Sequence, residues 1–412
     1  MKATTNNPYS ILLLQIRRKV WLQAHLYLGL IAGAILAVVG LTGSILVFFE
    51  ELQEILNAEQ IVISVPPENQ RHILALDQII ASAETAKPKG SKFYSIYYPR
   101  EPEFAYKLQY RVRAPEQVNN GSGYYIFVNP YTAKVTGVQF WHFADGKRYW
   151  GIPLVSFIMQ LHCCLLLGDT GEMAVGILAA LSIISVLSGL ILWWPLTGKF
   201  KQALTFKRHA SAVRFNFDLH KTVGFYLTIV LLPVLFSGVY FNLPERVNIV
   251  LKQFSPITRD NPWSGLGKTQ YKSTYQLGKN PVAYAAIEAA VQSLYPSGKL
   301  WHLYAPKDET GVYILQKRDA DDLSPFIGYR DFVIDPYSGK ILASYEYGTG
   351  SAGDVLLDWQ WPLHSGQAFG WTGRILVFLS GLACPLLFIT GVIRWLQKRR
   401  AKQFQKHRLP NL

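Results

Sequence analysis

The chain of 412 residues predicts a membrane α-helical protein: four transmembrane helices in two parallel tandem repeats, each half carrying an extracytoplasmic α+β domain. Three observations predict it. Four apolar runs, Trp21–Phe49, Ala174–Trp194, Phe225–Leu243 and Ile375–Leu396, approach or exceed the ~20 residues a hydrocarbon core requires. The net charge of +14 is confined to short flanks of those runs. Finally, the second half of the chain repeats the motifs of the first.

The charge distribution sets the orientation. Residues 50–152 hold eleven Lys/Arg and eleven Asp/Glu, and residues 245–358 hold twelve and thirteen, so the two long loops are close to neutral. The excess sits at the N-terminus (Lys2, Arg17, Arg18, Lys19), in the middle (Lys199, Lys201, Lys207, Arg208, Arg214, Lys221) and in the tail from Arg394 to Arg408. By the positive-inside rule both termini and the middle linker are expected in the cytoplasm, with both loops outside. A nucleic-acid footprint is not expected from charge so placed. Trp21, Trp193, Trp194 and Trp395 fall at the expected cytoplasmic ends and Trp371 at an outer end, where interfacial anchors belong. The first run is too long for a cleaved signal peptide and lacks a small-residue cleavage site, so it reads as a permanent helix. Cys163, Cys164 and Cys384 suggest small buried hydrophobes rather than a disulfide framework.

The segments therefore read as a cytoplasmic N-terminus (1–20), a first span (21–49), an outer domain (50–152), a second span with a preceding histidine segment (153–195), and a cytoplasmic linker (196–219). A third span (220–243), a second outer domain (244–358), a fourth span with its histidine segment (359–396) and a cytoplasmic tail (397–412) follow. An offset of 195 carries His25, Gly29, Thr42 and Gly43 onto His220, Gly224, Ser237 and Gly238. An offset of 202 overlays "LHCCLLLGDTG" (161–171) on "LHSGQAFGWTG" (363–373), and Gly189 and Trp193 on Gly391 and Trp395. "FVNPYTAKV" and "FVIDPYSGKI" repeat in the outer loops, each a turn between strands. Helical spacing in "ALDQIIASAETA" and "VAYAAIEAAVQSLY" precedes alternating runs such as "FAYKLQYRV" and "GVYILQK", which predicts a helix packed on an antiparallel sheet in each loop. Equivalent residues of parallel repeats share a depth and face one another across an axis along the membrane normal.

Four of nine histidines fall at such corresponding positions: His25 with His220 near the inner end, His162 with His364 near the outer end. Ionisable groups in membrane segments are costly and tend to be functional. Paired imidazoles across a twofold axis suit a planar cofactor, and b-type haem takes two axial ligands in this way, giving two haems at two depths. Gly29 and Gly224, one turn beyond their histidines, would leave room for a macrocycle or serve close helix packing. Zinc is disfavoured because no cluster offers four ligands at one depth. Glu172 and Arg374 share a repeat position; they could pair with each other, or Arg374 could meet a haem propionate or snorkel to the interface. His162 and Gly189 are too far apart for one straight helix across the core, so the second span is expected to tilt or to break at "GDTG". "GTGSAG" (348–353) matches a dinucleotide fingerprint but has no βαβ unit around it, and reads as a loop. The outer tyrosines Tyr94, Tyr97, Tyr98, Tyr124 and Tyr125 suit either a sheet core or contact with a ligand.

The stretches "HLYLGLIAGAILAVVGLTGSILVF", "LHCCLLLGDTGEMAVGILAALSIISVLSGLILWWP", "LHKTVGFYLTIVLLPVLFSGVYF" and "WPLHSGQAFGWTGRILVFLSGLACPLLFITGVIRW", with the outer "NPYTAKV" and "DPYSGKI", resemble the PepSY-associated transmembrane helix family, whose members include inner-membrane siderophore reductases. The resemblance implies PepSY-like outer domains in a bacterial inner-membrane protein. It also implies haem-dependent reduction of ferric siderophore on the periplasmic side. The electron donor is not identified by the sequence; a quinol or a cytoplasmic reductase is expected. Metal ligands would be His25, His220, His162 and His364, with Arg374 beside a haem; no catalytic side chain is assigned. Two alternatives stay open: a haem-free membrane protein whose outer domains bind a partner such as a peptidase, and a quinol-linked cytochrome with another acceptor.

Overall fold

The structure, a computed structural model, describes residues 8–112, 123–141, 153–195, 198, 200–207, 209–258, 271–273 and 278–408. Lys2, Lys199 and Arg208 of the basic flanks, and parts of the expected outer loops, lie outside the described residues. In chain order the first half contains α1 (Pro8–Leu46), α2 (Phe49–Leu56), α3 (Ala58–Ile61), α4 (Leu76–Ala86), β1 (Ser91–Tyr97), β2 (Tyr106–Val112), β3 (Gly123–Val128), β4 (Val135–Trp141), α5 (Leu154–Cys164) and α6 (Gly168–Trp193). After the linker helix α7 (Phe200–Ala203) come α8 (Ala212–Asn242), α9 (Pro244–Leu251), α10 (Tyr284–Leu294), β5 (Lys299–Tyr304), β6 (Tyr313–Arg318), β7 (Arg330–Ile334) and β8 (Ile341–Glu346). Helices α11 (Ala352–Asp358), α12 (Gln360–Ser365) and α13 (Gly370–Arg408) complete the chain.

Among the described residues four helical stretches are long and apolar enough to cross a membrane: Arg18–Leu46, Gly168–Trp193, Ala212–Asn242 and Gln367–Gln405. They lie in α1, α6, α8 and α13 and pack as a four-helix bundle, α1 against α6 and α13, α8 against α6 and α13. The helices outrun the apolar stretches because Lys, Arg and Gln are good helix formers, so α13 continues through its basic tail. Apolar side chains point outward: Ile229 is 80% exposed, a surface that only lipid would satisfy. Without a hydrophobic drive inside lipid, helix contact depends on close approach of small residues. Gly40 and Gly381 supply it where α1 crosses α13. A Cβ on Gly381 would stand 2.2 Å from Ser44 Oγ, and one on Gly40 would stand 2.6 Å from Cys384 Cβ. Ser44 then donates to the Phe378 carbonyl across that contact at 2.8 Å.

Each half supplies a helix and four antiparallel strands, as expected, and the two sets join. Both halves contribute to one eight-stranded antiparallel sheet among the described residues, ordered β4-β3-β2-β1-β5-β6-β7-β8. Its seam is the β1–β5 pairing, where Tyr97 lies opposite His302. Helices α4 and α10 cover one face and share one core with Leu76, Ile79, Ile96, Leu108, Ile287, Val291, Leu303 and Leu315. Asp77 of α4 accepts from the backbone N–H groups of Tyr284 and Ala285 at the start of α10, tying the halves together again. The "GTGSAG" stretch is a loop that ends β8 and caps α11: Ser351 accepts from the Asp354 N–H while the Asp354 carboxylate accepts from the Ser351 N–H.

The second span breaks rather than merely tilting. The break falls just ahead of the expected "GDTG", where Leu165 and Leu166 adopt left-handed backbone (φ 52° and 63°) between α5 and α6. The equivalent break between α12 and α13 uses Gly366 (φ 77°). In both, a glycine lets the new helix press on the end of the old one: a Cβ on Gly171 would stand 1.7 Å from the Cys164 carbonyl oxygen, and one on Gly373 2.1 Å from that of Gly366.

Candidate functional site

The bundle brings the four histidines together in the two pairs the sequence suggests. His25 on α1 faces His220 on α8 with ring centroids 6.2 Å apart; His162 on α5 faces His364 on α12 at 6.0 Å. All four side chains are half-buried. Along α1 the levels are set by His25 and by Gly43, which backs His162, a spacing of eighteen residues or about 27 Å of helix. The His162–His364 pair, on the helices that follow the strands, is thus the sheet-proximal pair, and the His25–His220 pair is the sheet-distal one.

Each ring is held through Nδ1. His25 Nδ1 lies 2.9 Å from the Ser185 carbonyl and 3.1 Å from Ser188 Oγ on α6. His220 Nδ1 lies 2.9 Å from Thr390 Oγ1 on α13. His162 Nδ1 lies 2.8 Å from the Val39 carbonyl and 3.3 Å from Thr42 Oγ1 on α1, and His364 Nδ1 lies 2.7 Å from Ser237 Oγ and 3.2 Å from the Val234 carbonyl on α8. A carbonyl only accepts. Each hydroxyl already donates to its own helix, Ser188 to Ser185, Thr42 to Val38 and Val39, Ser237 to Pro233 and Val234, Thr390 to Leu386 and Leu387. For His25, His162 and His364 the carbonyl sets the proton on Nδ1, and the Thr390 hydroxyl, which donates within its own helix, favours the same tautomer in His220, so that Nε2 carries the lone pair. Fixing the tautomer through the far nitrogen is how proteins present imidazole to a metal.

Glycines make room for these rings. A Cβ on Gly43 would stand 2.8 Å from His162 Cε1, on Gly189 3.0 Å from His25 Cε1, on Gly391 3.4 Å from His220 Cε1 and on Gly238 4.0 Å from His364 Cε1. Gly29 and Gly224 have a different setting. A Cβ on Gly29 meets nothing within 4 Å and one on Gly224 meets only Leu387 at 3.7 Å, so neither serves close helix packing.

Two metal–imidazole bonds of about 2 Å, with about 1 Å from each nitrogen to its ring centre, separate centroids by about 6 Å. Both pairs fit that spacing, and the donor set of two neutral imidazoles is a haem-iron donor set.

Arg374 is not paired with Glu172. It is buried beside the sheet-proximal pair's helices, where its Nη2 lies 2.6 Å from Glu51 Oε1 and donates to the Val47 carbonyl at 2.9 Å. The rings of Trp371 and Phe48 flank the guanidinium at 4.7 and 5.0 Å. Arg374 Nε and Glu51 Oε2 have no hydrogen-bond partner among the described residues. The fork thus retains a donor for an anionic group.

The tyrosines of the strands divide between the faces of the sheet. Tyr98 and Tyr124 lie on the helix-covered face, Tyr98 donating to Glu288 Oε1 at 2.7 Å. Tyr97 stacks on His302, centroids 3.7 Å apart, on the opposite face, with the tilted ring of Tyr304 also against His302 at 3.9 Å. Lys107 Nζ stands 4.4 Å from the Tyr97 ring and Arg111 3.4 Å from that of Tyr94. His302 is 2% exposed, and burial with Lys107 nearby holds its pKa well below 6.5. Sequence reading missed Glu51 and His302, since neither lies in a repeated motif. Ser188 and Thr390 could have been found, because they fall at the same offset of 202 as Gly189 and Gly391.

The fold and site define a class: a four-helix membrane bundle with two paired-imidazole sites at different depths and a β-sheet on one end. Residues 22–398 match the PepSY-associated TM region family, and the chain belongs to that family. No curated protein matches the chain.

Proposed function

We propose that the protein is a di-haem b oxidoreductase of the bacterial inner membrane that passes electrons outward to ferric siderophore iron. In this reading the chain is two parallel repeats, both termini are cytoplasmic and the sheet is periplasmic. The observation that carries it is the pair of facing imidazoles at each level, every Nδ1 held by a neighbouring helix so that Nε2 is the nitrogen left for a metal. A haem-free structural role for the histidines would use the Nδ1 bonds but gives no reason for two such rings to face each other at 6.2 Å at one level and again at 6.0 Å at the other.

Haem iron held by His25 with His220, and by His162 with His364, would supply reversible one-electron transfer at two depths. The chain's residues do the rest. Ser185, Ser188, Val39, Thr42, Val234, Ser237 and Thr390 fix each ring's tautomer and rotation. Gly29 and Gly224 leave the space a macrocycle needs, and Arg374 with its free Nε offers a partner for a propionate. Outside, reduction acts as release: a hard oxygen cage holds Fe³⁺ better than the larger, less charged Fe²⁺.

The test is spectroscopic. The purified protein should show a Soret band and a dithionite-dependent α-band, and H25A or H220A should remove one haem equivalent while H162A or H364A removes the other. A colourless protein from haem-replete cells, or four variants with unchanged haem content, rejects the reading. Oxidation of the reduced protein by ferric siderophore, against no oxidation by buffer, tests the acceptor.

A further inference from the structure

Two short helices at the sheet-proximal end of the bundle are turned the wrong way round for water. Helix α2 starts at Phe49, just after α1 ends at Leu46, and α9 starts at Pro244, just after α8 ends at Asn242. The offset of 195 carries Phe49–Leu56 onto Pro244–Leu251, so one element is written twice. In α2 the carboxylates face the protein and the aliphatic side chains face away from it. Glu54 pairs with Arg100 and Glu51 with Arg374, their side chains 25% and 32% exposed, whereas Ile55 and Leu56 are 72% and 55% exposed. A surface helix in water shows the reverse, charges outward and the apolar stripe inward. In α9 Val247 is buried, but Ile249 and Val250 are 58% and 57% exposed, and Phe254 in the following turn is 84% exposed. Val250 is the repeat counterpart of Ile55. Arg246, one turn before it, is exposed beside these residues, and a guanidinium on such a stem reaches a phosphate past aliphatic neighbours.

The place of the two patches says what covers them. Helices α1 and α8 each pack against α6 and α13, so they stand at diagonal corners of the bundle, and α2 and α9 leave it on opposite sides. Each patch follows directly on an apolar span and continues its outward surface. A protein partner or a second copy docked at one corner leaves the other bare. A lipid surface rings the molecule and meets both corners with the same chemistry.

We propose that α2 and α9 lie in the lipid interface, with Ile55, Leu56, Ile249, Val250 and Phe254 inserted among the acyl chains, and that they seat the sheet on the membrane. The connection to the sheet is direct on the α2 side. Thr136 of β4 donates to the Gln60 carbonyl of α3 at 2.6 Å, and Gln139 of β4 donates to Asn57 Oδ1, between α2 and α3, at 2.6 Å. The inward face of α2 also carries Glu51 to Arg374, so lipid on the outward face holds the acidic partner of that arginine in place. The inference is independent of the haem reading, since it uses neither histidine pair.

The experiment is carbene photolabelling of the full-length wild-type protein in phosphatidylcholine vesicles, read by peptide mass spectrometry. One probe is an iodophenyl diazirine that partitions into the acyl chains, the other a water-soluble diazirine. Ile31 and Ile229 in the spans, 70% and 80% exposed, report full lipid contact. Leu294 at the end of α10, 58% exposed in the layer that covers the sheet, reports water. Labelling of both Ile55–Leu56 and Ile249–Phe254 by the lipid probe, within about threefold of the span residues and about tenfold or more above Leu294, supports the proposal. Labelling of either helix by the water-soluble probe to the level of Leu294 overturns it. Protection of either helix from both probes also overturns it, in favour of a contact with another protein or a second copy.

Discussion

The backing glycines give a paired test of the imidazole sites. Replacing Gly43 by alanine places a Cβ 2.8 Å from His162 Cε1, whereas the matching G238A places one 4.0 Å from His364 Cε1. Carbon contacts settle near 3.5–4.0 Å, so His162 must retreat by about 0.7 Å or more, while His364 need not move. The retreat stretches the Nδ1 bond to the Val39 carbonyl from 2.8 Å to the edge of hydrogen-bonding range. Overpacking costs about 1–3 kcal/mol and the lost bond about 1 kcal/mol more. If the site holds haem as proposed, and to the extent that this cost falls on keeping the ring where a metal needs it, affinity at the His162–His364 site should fall by up to about 1,000-fold in G43A, at 1.4 kcal/mol per decade, and little in G238A. Alanine is also favoured over glycine in a helix by about 0.5–1 kcal/mol, so neither variant should lose the bundle for want of helix propensity. The assay is haem stoichiometry by pyridine haemochrome, with haem titration into the apoprotein and melting in detergent alongside. Equal haem content in the two variants, at either one or two equivalents, would refute the steric argument.

Other perturbations follow from the same geometry. G29A should leave melting unchanged, since its Cβ meets nothing in the protein, yet weaken haem retention at the sheet-distal level if a macrocycle covers it. G171A and G373A drive a Cβ into backbone carbonyls at the two helix breaks and should each cost more than about 3 kcal/mol, read as loss of folded protein by size-exclusion chromatography. R374Q strands Glu51, whose side chain is 32% exposed, and should cost about 2 kcal/mol in detergent melts, below the range for a fully buried pair. For His302 the folded pKa lies below the ordinary 6.5, so the unfolded chain takes up a proton that the folded one refuses. Stability should be level above pH 6.5 and fall as pH drops below it, by up to about 1.4 kcal/mol per unit, and H302F should abolish that slope in a chemical-denaturation series.

The spans and the histidine pairs were legible in the sequence because both are local signals doubled by repetition. Hydropathy marks each span, and the offsets of 195 and 202 mark which side chains correspond. The break in the second span was legible only as an alternative to tilting and its position was not, since left-handed backbone starts there at Leu165 and Leu166, ahead of Gly168, where the other half uses Gly366. No proline or glycine stands between Leu46 and Phe49, so the turn from α1 into α2 that delivers Glu51 to Arg374 left no trace. Strand pairing across the seam was illegible for a different reason. Tyr97 and His302 are opposite one another only because two distant loops meet, and alternation within a strand is silent about its neighbour.

That seam makes the two halves of the protein mutually dependent. Were the polypeptide cleaved in its linker and the fragments parted, β1 and β5 would each become a bare edge, with unpaired amides and carbonyls along Ser95–Tyr97 and His302–Tyr304. Each fragment would then be driven to recruit a substitute strand, from its counterpart or from another copy of itself. Co-expressed fragments should accordingly find each other, and a fragment expressed alone should form strand-exchanged oligomers.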